Sequence, residues 1–474
     1  MRVPLFLAAL GVAVSCSVSV PDAVDTPVRQ GDERVPAHDE DRERLTAFDP
    51  VGGGDDPSTV IWLVLDTVRA DSMGVYGGRV EMPHLEAFAD SAVVVERAFS
   101  HAPETCVSHW TMLTGVLPEV HGSVPKQRST RYAGPAMGDI ARSVGLPTAG
   151  FTAAPTLMRG VCGLSGFDDW REDFPFETDA SPTAPGVEVA AAAAAWMGEQ
   201  EGDYFLFVNL FDAHSPYTPP APWDTAFDPD YSGDLDGSMA SLEPWMEHAG
   251  ASAPESERAH GRALYDGEIG ELDAMIGVVL DAAPDDAVVV ITADHGESFE
   301  HGYLFNHRDV MWDGVLRVPL LVRSPDLQAR HADDGFFSHL DLAPTVADLA
   351  GWPVDRGMMG ESRVAWLAGE PDASSPAVHH ARVHPWEGEG DVAVRSSDRK
   401  LIFDDGRRDE GRLYDLVADP EELEPTGGSA APELAAYAAY RATIGDAENR
   451  VRPYEPQPPS DELASQIRSI GYIE

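Results

Sequence analysis

The chain is almost devoid of lysine. Of its 33 basic residues only Lys126 and Lys400 are lysine, against 81 Asp and Glu, and the formal net charge is −48. Binding to nucleic acid relies on clustered Lys and Arg that neutralise phosphates, so this balance excludes nucleic acid as a partner. An anionic membrane surface is disfavoured for the same reason. Cysteine is scarce as well, with Cys16, Cys106 and Cys162 alone. No Cys-x-x-Cys pair exists, which excludes a zinc ribbon or a thioredoxin-type motif. The apolar run at the start, Val3 to Val14, is too short to cross a bilayer as a helix.

Hydrophobic residues make up 43% of the 474 positions, ample for a sizeable core, so wholesale disorder is excluded. Length allows one large α/β domain with an appendage, or two or three ordinary domains. Arg2, the run Val3 to Val14 and then Ala13-Val14-Ser15-Cys16 read as an export signal. It resembles a bacterial lipoprotein signal with Cys16 as the lipidated residue, although Ala stands where Leu is usual. The expected location is therefore the cell envelope or the exterior, with membrane attachment by lipid alone. Residues 17–57 hold eleven acids and four Arg and end in a Gly and Asp run. Such a segment cannot bury enough apolar surface to order itself, and it reads as a flexible tether. The remaining acidity is spread along the chain and reads as a solvated surface.

From Thr59 onward apolar runs alternate with helical patterns. Strands are expected at Val60–Leu65, Thr148–Thr152, Tyr204–Phe211, Ala287–Thr292 and Val318–Arg323. Helices are expected at His84–Val95, Thr105–Leu113, Met137–Val144, Val187–Met197, Ala263–Ala283 and Leu340–Ala350. The alternation predicts an α/β fold with a mostly parallel central sheet sandwiched by helices over residues 58–372. Strand signals at Val392–Arg395 and Lys400–Phe403 predict a small C-terminal α+β subdomain over residues 373–474.

Ligands of parallel sheets bind beyond the carboxyl ends of the strands. Three such ends carry polar clusters: Asp66-Thr67, Asp212-Ala213-His214, and Asp294-His295-Gly296-Glu297. One Asp at a strand end is often a helix cap. Three clusters on one edge, two of them pairing Asp with His, point to a metal site. Thr105 adds a hydroxyl at a helix start, where backbone N–H groups favour an anionic ester, and a metal beside it would make it a nucleophile.

These residues lie in an order that resembles the sulfatases of the alkaline phosphatase superfamily, from about Thr59 to Pro425. The likeness runs through Leu65-Asp66-Thr67-Val68-Arg69, Met82-Pro83-His84-Leu85, Tyr265-Asp266-Gly267-Glu268, Thr292-Ala293-Asp294-His295-Gly296-Glu297, Asn306-His307, Arg317-Val318-Pro319 and Leu413-Tyr414-Asp415. Sulfatases carry a Cys or Ser, later converted to formylglycine, ten residues before the Gly of a Thr-Gly pair. Counting back ten from Gly115 reaches Thr105, and Cys106 lacks the Pro and Arg that should follow it. The likeness therefore implies Thr105 as nucleophile, as in the phosphodiesterase branch and the phosphoglycerol transferases.

It also implies a metal set of Asp66, Thr105, Asp294 and His295, with Thr67 replacing the second residue of an Asp-Asp pair. Imidazole in that set favours manganese or zinc, with calcium third. A second metal would need Asp212, His214 and His307, and one metal is expected. His214 and His307 match positions that contact the ester or protonate the leaving oxygen. The family's active-site lysines have no counterpart, which leaves that electrostatic work to His. Cys106 reads as a packed helix residue, and its pairing with Cys162 stays open. The expected activity is hydrolysis of a sulfate or phosphate ester on a small molecule, glycan or lipid. Transfer to an alcohol and an inactive binding protein on the same scaffold are the alternatives. No oligomeric state is implied.

Overall fold

The computed structural model describes residues 48–54, 57–123, 132, 134–164, 166–174, 186–246, 253–371, 379–382, 391–404 and 407–447. Cys16, the export signal, most of the proposed tether and the residues after 447 lie outside them. Eight strands build the central sheet: β1 (Val60–Leu65), β2 (Val93–Val95), β3 (Thr148–Thr152), β4 (Asp169–Arg171), β5 (Phe205–Leu210), β6 (Val288–Ala293), β7 (Leu320–Arg323) and β8 (Arg330–Ala332). Their order is β8-β2-β7-β6-β1-β5-β3-β4. Of the eight, β7 alone runs against its neighbours. Strands β1, β5 and β6 are buried along their whole length, which is why they read as continuous apolar runs without alternation.

Seven helices bear on the argument: α1 (Pro83–Ala89), α2 (Thr105–Thr114), α3 (Met137–Ser143), α4 (Gly186–Gly198), α5 (Glu255–Ala282), α6 (Leu342–Leu349) and α7 (Ala431–Ala447). They gather in groups: α1 and α4 pack against α5, and α2 packs against α6. The mostly parallel α/β sheet flanked by helices is as expected.

Three local expectations are corrected. The stretch His84–Val95 is not one helix: α1 stops at Ala89, and Val93-Val94-Val95 forms β2. Three β-branched residues in a row suit a pleated, two-sided environment better than a helix. The strand expected at Val318–Arg323 is broken by Pro319, which has no N–H to donate, into Arg317–Val318 and β7. Within the segment read as a tether, Pro50–Val51 pairs antiparallel with Val354–Asp355.

Beyond the sheet, β9 (His379–Arg382), β10 (Asp391–Arg395), β11 (Arg399–Asp404) and β12 (Arg412–Asp415) form a second, antiparallel sheet in that order. Helix α7 packs on it, with Tyr437 buried among Val392, Val394, Leu401, Phe403 and Leu413.

Candidate active site

Strand register brings the acids together. Leu65 pairs with Ala293 across the parallel β1–β6 ladder, so the next residues, Asp66 and Asp294, emerge side by side. Asn209 on β5, level with Val64, donates from Nδ2 to Asp66 Oδ2 at 3.3 Å. The chain turns sharply after Asp66, and Thr67 takes a left-handed conformation with φ 58°. A β-branched residue there is strained. The turn aims the Thr67 N–H at Asp294 Oδ1 (3.1 Å), while the Thr67 hydroxyl donates to the Asp66 carbonyl (2.7 Å) and faces no metal position. Tyr265 on α5 clamps the turn, donating to the Thr67 carbonyl and accepting from the Arg69 N–H, both at 2.8 Å.

The side chains left facing inward form a donor set. Asp66 Oδ1 and Asp294 Oδ2 are buried without a hydrogen-bond partner among the described residues. His295 donates from Nδ1 to the Gly296 carbonyl at 2.9 Å, a bond that puts the ring lone pair on Nε2. One atom from each of Asp66, Asp294 and His295 lies within 4.8 Å of the others, close enough for one cation. Burial pushes the Asp66 carboxyl well above the usual range, and neighbouring Asp294 adds to the effect. Burial acts on Asp294 in the same sense. There it is outweighed by His295, by His109 and by the N–H groups of Thr67 and His295, which hold the carboxyl below its ordinary value. Two unpartnered carboxylate oxygens beside a correctly oriented imidazole fit a divalent metal ion.

Thr105 is the first residue of α2, and its hydroxyl oxygen lies 3.3 Å from His295 Nε2. Asp66, Asp294 and His295 of the expected set thus lie together, with the Thr105 hydroxyl next to His295. Its neighbour Cys106 is bonded to Cys162, with Cα atoms 5.6 Å apart, which closes the question the spacing left open. A thiol held in a disulfide is not available for conversion to formylglycine. One turn on from Thr105, His109 donates from Nδ1 to the Thr105 carbonyl at 2.7 Å and lies 3.8 Å from Asp294 Oδ2. Sequence reasoning gave His109 no role, although its i, i+4 spacing puts it on the Thr105 face.

His214 and His307 reach the same pocket. The His307 ring lies 4.2 Å from that of His295 and 5.3 Å from that of His214, and His214 stacks on Phe211 at 4.6 Å. Burial, then repulsion from His307, pushes His214 down to about 3. Burial, His295 and Arg308 push His307 well below its ordinary value. Glu297 Oε1 lies 3.4 Å from His307 Nδ1, and Glu297 Oε2 accepts from the Tyr217 hydroxyl at 2.9 Å.

Asp212 is a candidate ligand only for a second metal, and one metal is expected. It turns away to accept the Gly186 N–H at the start of α4 (2.8 Å) and does not join the metal cluster. It follows Phe211, which stands level with Asp66, so it lies one residue further along and on the other side of the pleat. The expectation that His alone replaces the family's lysines is corrected. Arg308 sits beside His307 with its Nε 3.6 Å from Glu104, the residue preceding Thr105, and its charge acts on both His214 and His307. Nothing in the sequence beyond its place after His307 marks it.

The family model described as Sulfatase matches residues 58–352, well over half of the chain. The chain belongs to the sulfatase family. A second model, N-sulphoglucosamine sulphohydrolase, C-terminal, matches residues 299–434. Family membership places the protein among hydrolases that act on sulfate esters. Arylsulfatase K of Xenopus laevis is 23% identical over 414 residues, covering 74% of this chain and 75% of that one. N-acetylglucosamine-6-O-sulfatase of Bacteroides thetaiotaomicron is 30% identical over 224 residues, covering 44% of this sulfatase and 38% of that protein. Among solved structures, the phosphonate monoester hydrolase of Agrobacterium radiobacter superposes with a TM-score of 0.64 at 20% identity, covering 83% of this chain and 96% of that one.

Proposed function

We propose that the protein hydrolyses a sulfate or phosphate ester with Thr105, in place of formylglycine, as the nucleophile. One observation carries this reading: the Thr105 hydroxyl stands at a helix start, 3.3 Å from Nε2 of His295, the imidazole grouped with two carboxylate oxygens that have no hydrogen-bond partner among the described residues. Asp66, Asp294 and His295 would hold the cation, and two carboxylates with one imidazole suit manganese or zinc better than calcium. When bound, such a cation supplies positive charge for the ester oxygens and lowers the cost of ionising a neighbouring hydroxyl.

The residues divide the remaining work. The Thr105 oxygen attacks sulfur or phosphorus in line, a new O–S or O–P bond forms, and the bond to the leaving oxygen breaks. The start of α2 presents backbone N–H groups and a favourable dipole to the anionic group. The proton lost by Thr105 and the proton gained by the leaving oxygen balance through the imidazoles of His307 and His214. An anionic ester beside them stabilises their protonated form, so substrate binding itself raises their basicity. Glu297, held by Tyr217, orients His307. Water then cleaves the Thr105 adduct, releasing the inorganic ion.

Two measurements test this. Brief mixing with an aryl sulfate or aryl phosphate, followed by denaturation and mass spectrometry, should find the added sulfuryl or phosphoryl group on the peptide bearing Thr105. Thr105→Ala should lower kcat by about a thousandfold or more while sparing much of the metal content. Full activity in that variant would remove the assignment. Parallel assays of aryl sulfates, phosphates, phosphodiesters and phosphonates, with manganese, zinc or calcium, would name the substrate class and metal. A small-molecule or glycan ester is the proposed substrate. We also propose that the protein is exported and tethered to the cell envelope through lipidated Cys16, so that Cys16→Ser should release it from the membrane fraction.

A further inference from the structure

A cleft of about 830 Å³ has a lining to which Asp66, Thr105, Asp294, His295 and His307 contribute nothing. It lies along the seam between the central sheet and the C-terminal subdomain. Arg97 follows β2, Arg317 precedes β7, and Arg395 ends β10 of the subdomain. In a chain of net charge −48 this is an unusual place to gather guanidinium groups.

Accounting for partners shows which charges are free. Most carboxylates in the lining are committed: Asp71 and Glu300 to Arg69, Asp313 to Arg395 and Lys400, and Glu96 to His331. Asp333 and Glu421 are exposed to water. Arg97 and Arg317 have no carboxylate partner among the described residues. Arg97 donates from Nη2 to the Asp333 carbonyl at 2.7 Å. Arg317 donates from Nε and Nη2 to the Glu96 carbonyl at 3.1 and 2.8 Å. Both are only partly exposed. Aromatic faces hold the group rigid, with Arg97 over Phe336 at 4.7 Å and Arg395 over Phe336 and Phe99 at 5.1 and 4.4 Å. Trp312, which also lines the cleft, keeps a buried indole N–H without a partner. Arg97 and Arg317 therefore keep guanidinium N–H groups that no carboxylate takes among the described residues. Burial and then the charge of Arg395 weaken proton binding at Arg97, with Asp333 opposing them. An anion would occupy these donors.

We propose that this cleft is a second anion site, taking a tetrahedral oxyanion on Arg97 and Arg317 within the field of Arg395. The oxyanion is either free inorganic sulfate or a sulfate group on an extended substrate, and the two share the same recognition chemistry. The site does not depend on the role assigned to Thr105.

The test is a titration of the full protein with sodium sulfate at constant ionic strength, followed by calorimetry and tryptophan fluorescence. Saturable binding should persist in Asp294→Asn, in which the metal centre is damaged. It should weaken by at least about tenfold in the Arg97→Gln/Arg317→Gln double variant, as expected for lost charge-assisted hydrogen bonds. If thermal unfolding shows that the double variant does not fold, Arg97→Gln alone and Arg317→Lys carry the same comparison. Sulfate binding that vanishes in Asp294→Asn and is unchanged in the arginine variants overturns the proposal, as does the absence of saturable binding in the wild type. Aryl esters with one and with two sulfate groups separate the sources. A raised KM for the disulfated ester alone in Arg97→Gln identifies a substrate group, and equal KM effects with altered inhibition by sulfate identify the free ion.

Discussion

Two clusters of buried charge sit in this protein, and they are built on opposite principles. In the C-terminal region, Lys400 is fully buried and its Nζ lies 2.8 Å from both Asp313 and Glu422, while Arg395 closes on Asp313 at 2.9 Å. Two cations meet two carboxylates, and the charge balances within the chain. At the candidate metal centre, Asp66 and Asp294 share one edge of the sheet with imidazoles, pair with no Lys or Arg among the described residues, and each keep an oxygen without a hydrogen bond there. Burying unbalanced charge costs far more than burying a matched pair. The first cluster is complete as folded and fastens the subdomain to the loop preceding β7. The second would be balanced by a cation from outside the chain, as the proposed function requires.

The comparison can be broken by changing one member of each cluster. The largest effect is expected for Asp294→Asn. Metal analysis should show most of the bound cation lost, and kcat should fall by about a thousandfold or more, while thermal stability at neutral pH falls only modestly. A large loss of stability with metal retained would show that the cluster is structural. Lys400→Met should do the reverse. Asp313 and Glu422 would be left buried and uncompensated, at a cost of about 3–5 kcal/mol readable in chemical denaturation, with metal content unchanged.

The smallest effect is expected for Asp212→Asn, which sharpens the boundary of the site. Asp212 accepts the Gly186 N–H, and Asn can keep that bond, so metal content and kcat should stay within about twofold. Its pH dependence should be diagnostic. Burial raises the Asp212 carboxyl to about 6, so its contribution to stability is fully present below the unfolded pKa, near 4. That contribution is lost as pH rises through about 6. Asp212→Asn should flatten the stability profile across that window, and an unchanged profile would contradict the burial of this carboxyl.

Much of the site was legible because it is written at strand ends. A buried parallel strand is a continuous apolar run, so its last residue marks the ligand edge, and Asp66 and Asp294 follow directly after β1 and β6. Thr105 was legible by its distance from Gly115. Asp212 carried the same kind of signal and stands outside the cluster; a strand end does not tell which way the next side chain turns. Arg308 and Lys400 were illegible for a related reason: one charged residue in a loop and one in a strand look alike until the chain around them closes.

The order of elements, the acids at the strand ends and a Thr ten residues before Gly115 are determined by sequence alone, because each rests on local patterning or counting along the chain. Tertiary structure decided the rest. It paired Cys106 with Cys162, 56 residues away, turned Asp212 to a helix start, and brought Arg97, Arg317 and Arg395 from separate segments into one cleft. Contacts between distant segments depend on how the sheet twists and how its layers close, and no local pattern encodes the sum of those choices.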